Sequence, residues 1–222
     1  YFLGDLSHLT LNSSFNLANG NGYNYGNLNN LTPAVKNSPL ISILLSFVFM
    51  ILNPFFEINY EDLILISSVV VILISSLAVI FFYETIEVYS SRFAALLTTG
   101  LFISNIDFLN ILLKISSESL GLLLIILWTK QILLYFKNYE IIYLRNSAII
   151  SSLFFAARYQ LLIIHLLAIA LILIVFIKKR TFNYFIFIPI STLLVNFLYN
   201  WYKVESIFGH PSGVKGDSFE VL

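Results

Sequence analysis

Of the 222 residues, 59% are hydrophobic and only 11% are charged, which excludes an ordinary soluble domain with roughly 25% charged residues. Twelve basic and twelve acidic residues give a formal net charge of zero, so the charge balance does not favour nucleic acid as a partner, and we expect none. The absence of cysteine excludes disulfides, thiolate metal sites and thiol nucleophiles. The composition as a whole predicts a protein that lies in a lipid bilayer.

Residues 1–39 are polar and rich in Asn and Gly, and they predict one ordered loop outside the membrane. Gly20 stands where a helix would end in a left-handed cap. Before it, leucines recur near helical spacing at Leu3, Leu6, Leu9 and Leu17. We therefore expect a short interfacial helix followed by a turn. Because the chain opens on Tyr1 without a signal peptide, we also expect both of its ends to be truncated.

Residues 40–202 predict a transmembrane helical region, because their apolar blocks approach the roughly 20 residues that cross a hydrocarbon core. The apolar run from Pro39 to Phe56 is marginal in length, so it could span the membrane, re-enter it or lie at its interface, and we favour the last two alternatives for residues 40–56. Residues 146–177 are too long for one comfortable span and predict two short helices with Arg158 near the turn. Residues 203–222 are expected to form a further outer loop. The other predicted spans are 63–83, 93–109, 119–136 and 182–202, the last of which contains Pro189.

The distribution of basic residues predicts the orientation, because short cytoplasmic loops collect Lys and Arg. If residues 40–56 do not cross fully, one side receives all of the following: Arg92, Lys137, Arg145 and the run from Lys178 to Arg180. We expect that side to be the cytoplasm and the membrane to be the plasma (inner) membrane, with the first loop outside. Lys130, which lies in an apolar segment, is expected to extend toward the cytoplasmic side.

Five ionisable residues are predicted to lie on the outer face: Asp5, Lys36, Asp107, Glu118 and Arg158. Carboxylates and guanidinium groups at a membrane boundary are costly to hold and often mark a site. For any one of them alone, interfacial solvation is the simpler interpretation, and we favour it for Asp107 as a loop residue. His165, inside an apolar segment, is expected to pack internally with one hydrogen bond.

Six short motifs follow one another along the chain: Gly4-Asp5, Asn16 to Tyr23, Pro33 with Ser38-Pro39-Leu40, Ser117-Glu118-Ser119-Leu120, Ala157-Arg158-Tyr159, and Asn200 to Gly209. In this order they resemble the GT-C superfamily of lipid-dependent glycosyltransferases, which includes protein O-mannosyltransferases and aminoarabinose transferases. The first three resemble the family's first outer loop, and the last three resemble its later motifs. Ser38 departs from the family pattern, which has a first proline there.

The resemblance implies an all-α, polytopic transmembrane bundle with a structured first extracytoplasmic loop. It also implies transfer of a sugar, with inversion, from a polyprenyl-phosphate carrier to an acceptor hydroxyl on the outer face. Asp5 would be the catalytic base, and Arg158, with Lys36 second, would bind the departing phosphate. Glu118 would orient the acceptor, position a basic residue or bind a divalent metal, a role also open to Asp107. Stabilisation of its own helix start is an equal alternative for Glu118.

The implied partners are a polyprenyl-phosphate-linked sugar, membrane lipid, and a glycan, lipid or protein acceptor. No cofactor is implied with certainty, and a divalent metal stays an option. The chief alternatives are a non-catalytic membrane protein, such as a lipid-glycan transporter or a polymerase partner, and a structural subunit that keeps the fold without activity. Most charged residues lie at segment ends, which favours the enzyme over a transporter.

Overall fold

The computed structural model describes residues 5–25, 32–34, 39–55, 59–179 and 184–204. Within these ranges the regular secondary structure is helical apart from a ladder of two short antiparallel strands, so the predicted all-α class is confirmed. The strands are β1 (Asn24–Tyr25) and β2 (Thr32–Pro33), and short 3-10 turns cover Tyr159–Leu161 and Tyr184–Ile186. The helices are α1 (Asp5–Ala18), α2 (Pro39–Leu52), α3 (Tyr60–Glu87), α4 (Arg92–Ser104), α5 (Ile106–Leu113), α6 (Ser117–Asn138), α7 (Ile141–Ser151), α8 (Phe154–Ala157), α9 (Leu162–Lys179) and α10 (Phe187–Val204).

Three helical segments in the described part of the chain are long and apolar enough to cross a membrane. They are Tyr60–Glu87, Ser117–Asn138 and Tyr159–Lys178. The 28 residues of α3 correspond to about 42 Å at 1.5 Å per residue, which exceeds a hydrocarbon core of about 30 Å. Large apolar side chains on its outer surface, such as Leu65 and Leu73, are exposed, as expected of a surface that contacts lipid. The predicted spans 63–83 and 119–136 are therefore helical, and both helices extend beyond the predicted bounds.

Helix α2 begins at Pro39, where the predicted apolar run begins, and proline is well suited to a first helical position because its missing N–H has no intrahelical partner there. Its 14 residues correspond to about 21 Å, which is shorter than the hydrocarbon core and agrees with the expectation that residues 40–56 do not cross fully. The helix packs on α1, where Leu11, Ile41 and Leu45 are buried in one cluster.

The first loop contains the helix and turn that its sequence predicts. Helix α1 ends in a Schellman arrangement, in which the Asn21 N–H donates to the Asn16 carbonyl at 2.9 Å and the Gly20 N–H donates to the Leu17 carbonyl at 3.2 Å. Gly20 has a φ of +78°, a left-handed conformation that glycine adopts without a Cβ clash. The chain then runs into β1, which pairs with β2 just before α2.

The prediction of one segment over 93–109 is wrong, because the helix breaks at Asn105 into α4 and α5. The Asn105 side chain accepts the Asp107 N–H at 3.0 Å, a local hydrogen bond that competes with helix continuation. Asp107 is therefore an exposed residue in the first turn of α5, and its placement in a loop is also wrong.

The predicted break near Arg158 is confirmed. Arg158 has an extended backbone (φ −157°, ψ 126°) and lies between α8 and the 3-10 turn that precedes α9. The predicted segment 182–202 becomes a 3-10 turn and α10, which begins two residues before Pro189 and ends at Val204. His165 is fully buried, and its Nε2 lies 2.9 Å from the Pro189 carbonyl, as expected of a packing histidine.

The long helices have two ends of different character. At one end, called here the Arg158 end, the start of α6 meets the break at Arg158, and His8 Nδ1 lies 2.5 Å from the Tyr60 hydroxyl at the start of α3. At the other, called the basic end, Lys137 Nζ donates to the Val88 carbonyl at 2.9 Å. Buried side chains join the ends of α6, α7 and α9 in one cluster there: Ile132, Tyr135, Leu144, Ala148, Ile172 and Phe176.

Candidate functional site

Helix α6 begins with a polar turn that holds Glu118 at its start. The Ser116 hydroxyl accepts the Glu118 N–H at 3.4 Å, so Ser116 is the N-cap and Glu118 lies in the first turn. A carboxylate in that turn is stabilised by the helix dipole. Ser116 supplies the side-chain cap, and Glu118 keeps the helix-dipole stabilisation that was its alternative role while its carboxylate also has a partner in another segment.

That partner is Arg158. Its Nη1 lies 3.1 Å from Glu118 Oε1, and the Arg158 and Glu118 side chains are 28% and 23% exposed. A pair in this partly withdrawn position is less screened than a surface pair. Two residues that are 40 positions apart in the sequence thus form one charged group at the Arg158 end of the helices.

The arginine side chain is held along the surface of α6 by two further contacts. A Cβ atom built on Gly121 would lie 3.5 Å from Arg158 Cδ, so the arginine methylenes run past a position with no side chain. The Gln160 side-chain oxygen accepts from Arg158 Nε at 3.3 Å. A guanidinium has five N–H donors. The contacts with Glu118 and Gln160 use only the Nη1 and Nε groups, which leaves donors for an anionic ligand.

Tyr159, the residue after Arg158, belongs to a group of hydroxyl side chains from several segments. Tyr23, from the turn after α1, is partly buried and interacts with the phenols of Tyr159 and Tyr199. Ser42 and Ser13 hydrogen-bond the Tyr23 side chain, and their own hydroxyl oxygens are 3.0 Å apart. The group therefore connects the first loop, the segment that carries Arg158 and the end of α10.

The environment of Tyr23 keeps its phenol protonated. Burial is the main cause that raises the pKa of Tyr23 far above its ordinary value of 10.0, and the nearby Tyr159 phenol raises it further. The hydrogen bonds with Ser42 and Ser13 oppose this rise. Tyr23 is therefore a neutral hydrogen-bonding group at physiological pH and not a base.

The structure brings together two of the five residues that the sequence predicts for the site, Glu118 and Arg158. Asp5 is the first residue of α1, but its side chain lies outside the described part of the chain, as does all of Lys36. Asp107 is exposed on α5, and its described contact is the backbone N–H that donates to Asn105.

Several residues of the site have no role in the sequence prediction: Ser13, Tyr23, Ser42, Tyr159, Gln160 and Tyr199. Tyr23 and Tyr159 lie inside the motifs that carry the family resemblance. The motifs could have singled out the two residues, but they do not predict that the two side chains interact. Gln160 lies two residues after Arg158, a spacing that could have suggested a local hydrogen bond at a helix break.

The described residues do not assemble a ligand set for a divalent metal. Within them, no group of three or more His, Cys, Asp and Glu side chains is placed to hold an ion. Glu118 has a guanidinium as its neighbour instead of a second carboxylate. The option of a metal on Glu118 or Asp107 therefore receives no support from the geometry of these two residues.

A second ion pair between distant segments joins Lys130 of α6 to Glu84 of α3. The Lys130 ammonium also lies 5.2 Å from the centroid of the Phe81 ring, within the range of a cation–π interaction. The sequence predicts only that Lys130 extends toward the basic end. The structure adds a partner that lies 46 residues earlier.

Comparisons of the chain with known protein families, with curated proteins and with solved structures find no match.

Proposed function

We propose that this protein is a polytopic membrane glycosyltransferase. It transfers a sugar, with inversion, from a polyprenyl-phosphate donor to a hydroxyl of a glycan, lipid or protein acceptor. The observation that carries the proposal is the Glu118–Arg158 pair, which lies where the start of α6 meets a break between two apolar helical segments. The order of motifs that resembles GT-C enzymes supplies the reaction class.

The membrane architecture in this proposal follows from the helices and from the charge at their ends. The basic end has five described basic side chains and three described acidic ones: Arg92, Lys130, Lys137, Arg145 and Lys178 against Glu84, Glu87 and Glu140. An excess of Lys and Arg favours the cytoplasmic side. The Arg158 end and the first loop then lie on the outer face of the plasma membrane, where the acceptor is available.

Arg158 is the group that binds the donor phosphate in this mechanism. A guanidinium matches the geometry of phosphate oxygens and stays charged at all relevant pH values. Glu118 and Gln160 fix its orientation, and the Gly121 surface lets its methylenes pass close to α6. The carrier phosphate would lie at the membrane boundary, with its polyprenyl chain among the apolar helices.

The transfer step is a single displacement at the anomeric carbon. Asp5 removes the proton of the acceptor hydroxyl, and the acceptor oxygen attacks the anomeric carbon from the side opposite the phosphate. The carbon–oxygen bond to the phosphate breaks, and the phosphate leaves with the electron pair. Arg158 stabilises the charge that develops on the leaving group. Because a phosphate is a weakly basic leaving group, no second carboxylic acid is needed.

The test compares Arg158→Ala with Lys130→Ala, because each variant removes the cation of an ion pair made by α6. Membranes that contain the protein are supplied with a pool of polyprenyl-phosphate sugars radiolabelled in the sugar, and label transferred to acceptor is counted. We expect a loss of about 100-fold or more for Arg158→Ala. Lys130→Ala should retain transfer at matched levels of folded protein.

A third variant, Asp5→Asn, tests the base separately, since the change is nearly isosteric and abolishes proton acceptance. Transfer in the wild type that collapses in Asp5→Asn and Arg158→Ala would support the mechanism. Transfer at the wild-type rate in Arg158→Ala would remove the phosphate role. If the wild-type protein transfers no labelled sugar from the pool, the enzymatic proposal fails.

A lipid-glycan transporter is the second candidate, and the Glu84–Lys130 pair is the observation that favours it. Ionisable residues between membrane helices often lie on transport paths. However, α3 and α6 are both unbroken at this pair, whereas transporter sites typically use discontinuous helices. The same variants discriminate the two candidates, because Lys130→Ala would then abolish movement of the lipid-linked glycan while Arg158→Ala would affect it less.

A further inference from the structure

We propose that the basic end binds anionic phospholipid headgroups, on a surface formed by Lys137, Arg145 and Lys178. The site is separate from Arg158 and does not depend on glycosyl transfer, because it is built from the opposite ends of α6, α7 and α9. The ligand chemistry is a phosphate held at the membrane surface by a diacylglycerol anchor.

The fold brings the ends of the three helices that carry these basic residues to one corner. Leu144, next to Arg145, and Phe176, two residues before Lys178, are buried in the same cluster as Tyr135 of α6. The ends of three helices therefore converge around a shared core, and the three basic side chains belong to the exposed surface of these ends. The run continues in the sequence with Lys179 and Arg180.

The basic side chains at this corner are exposed and only weakly neutralised. In the part of the chain that the structure describes, Arg145 and Lys178 form no salt bridge, unlike Arg92, which pairs with Glu87 at 2.9 Å. Lys137 donates one hydrogen bond to the Val88 carbonyl, and an ammonium has three donors. Glu140 is an exposed carboxylate at the same corner, so the described charges there leave a positive excess.

Aromatic side chains at the same level place this corner at headgroup depth. Tyr139 is 66% exposed and Tyr184 is 76% exposed, and both lie at the basic end of their helices. Exposed tyrosines of this kind favour the boundary between hydrocarbon and water. A phosphate of the lipid itself therefore meets the basic side chains more readily than a soluble anion does. Basic residues close to an anionic membrane surface each add to the attraction.

The experiment measures lipid binding to the purified whole protein in detergent. Native mass spectrometry follows a titration with phosphatidylglycerol, and phosphatidylcholine with the same acyl chains is the zwitterionic comparison. We expect tighter binding of phosphatidylglycerol, and an association constant that falls about fivefold for Arg145→Gln or Lys178→Gln. The double variant should lose the preference, and added salt should reduce it in the wild type.

Lys114→Gln is the matched control, since it removes one positive charge just before α6, at the opposite end. It should leave the phosphatidylglycerol preference unchanged, and circular dichroism should show native helix content in every variant. The proposal is overturned if the wild type binds both lipids equally, if the double variant keeps the preference, or if Lys114→Gln lowers binding as much as Arg145→Gln does. Because no sugar transfer is measured, these outcomes are independent of the enzymatic proposal.

Discussion

The two ion pairs that α6 makes with distant segments show how differently charge is held at the two ends of the molecule. Glu84 and Lys130 join two helices that are both continuous at the contact. Glu118 and Arg158 join the first turn of α6 to a residue with an extended backbone between helical segments. The first pair interrupts no regular structure, whereas the second lies where regular structure stops.

This difference matters in a bilayer, where each backbone N–H and C=O must be satisfied within the protein. A break in helical structure is tolerated there only where protein covers it or where it borders a polar cavity. Arg158 and its neighbour Tyr159 are at such a break, and Tyr23 of the first loop interacts electrostatically with Tyr159. In the proposed function the Arg158 end therefore holds the ligand site, and the Glu84–Lys130 pair has a structural function.

The largest difference between the two ion pairs should appear when the carboxylate of each pair, Glu118 or Glu84, is changed to an amide. We expect Glu118→Gln to lower kcat/KM for sugar transfer about tenfold, a loss of about 1.4 kcal/mol of transition-state stabilisation, because Arg158 keeps its charge and loses its orientation. Glu84→Gln should leave transfer unchanged.

Steady-state rates with a radiolabelled polyprenyl-phosphate sugar, at matched amounts of folded protein, measure both variants. If Glu118 acts by positioning Arg158, Glu118→Asp should restore part of the rate, a result that a purely structural function does not predict. If Glu118→Gln and Glu84→Gln lowered kcat/KM equally, the two ion pairs would not differ in their importance for transfer.

The second prediction uses the protonated phenol at the Arg158 end. Because burial raises the pKa of Tyr23 in the folded protein, its contribution to stability is fully present below the unfolded pKa of about 10. Above that pH the unfolded state loses the Tyr23 proton and the folded state keeps it. The free energy of unfolding should then fall by up to about 1.4 kcal/mol per pH unit from this residue.

Tyr23→Phe removes this ionisation together with the hydrogen bonds to Ser42 and Ser13. It should lower the stability at neutral pH by about 1 kcal/mol and reduce the decline above pH 10. Denaturant unfolding in detergent at several pH values measures both effects, and Tyr139→Phe, at the exposed basic end, is the control. An unchanged alkaline slope in Tyr23→Phe would contradict a raised pKa at this position.

The helices themselves could largely be predicted from the sequence, because the length of an apolar block decides whether a helix can cross a bilayer. Arg158 interrupts such a block and correctly predicts a break. The break at Asn105 was missed because the apolar pattern continues on both sides of it. At the break the Asn105 side chain accepts the Asp107 backbone N–H, a local competition with the helix that a hydrophobic pattern does not express.

The candidate site could be predicted in part. Glu118 and Arg158 were singled out as residues, but their contact joins positions 40 apart, and tertiary structure alone determines it. The phenols of Tyr23, Tyr159 and Tyr199 come from three separate segments, and nothing in their local sequences predicts that Tyr23 interacts electrostatically with the other two. Asp5 stays a prediction from family resemblance, since the described contacts do not include its side chain.

The smallest expected effect concerns the Glu84–Lys130 pair. The coupling energy of this pair decides whether its function is structural. The Glu84 side chain is 40% exposed, so the pair is partly screened and its coupling energy should be only about 0.5 kcal/mol. A double-mutant cycle with Glu84→Gln and Lys130→Met, measured by unfolding in detergent, isolates that energy from the change in each side chain. A coupling of several kcal/mol would mean that the two charges interact as strongly as those of a fully desolvated ion pair. The basic end would then hold charge inside the membrane at high cost, which is the behaviour of a transport path, and the assignment of function to the Arg158 end would lose its basis.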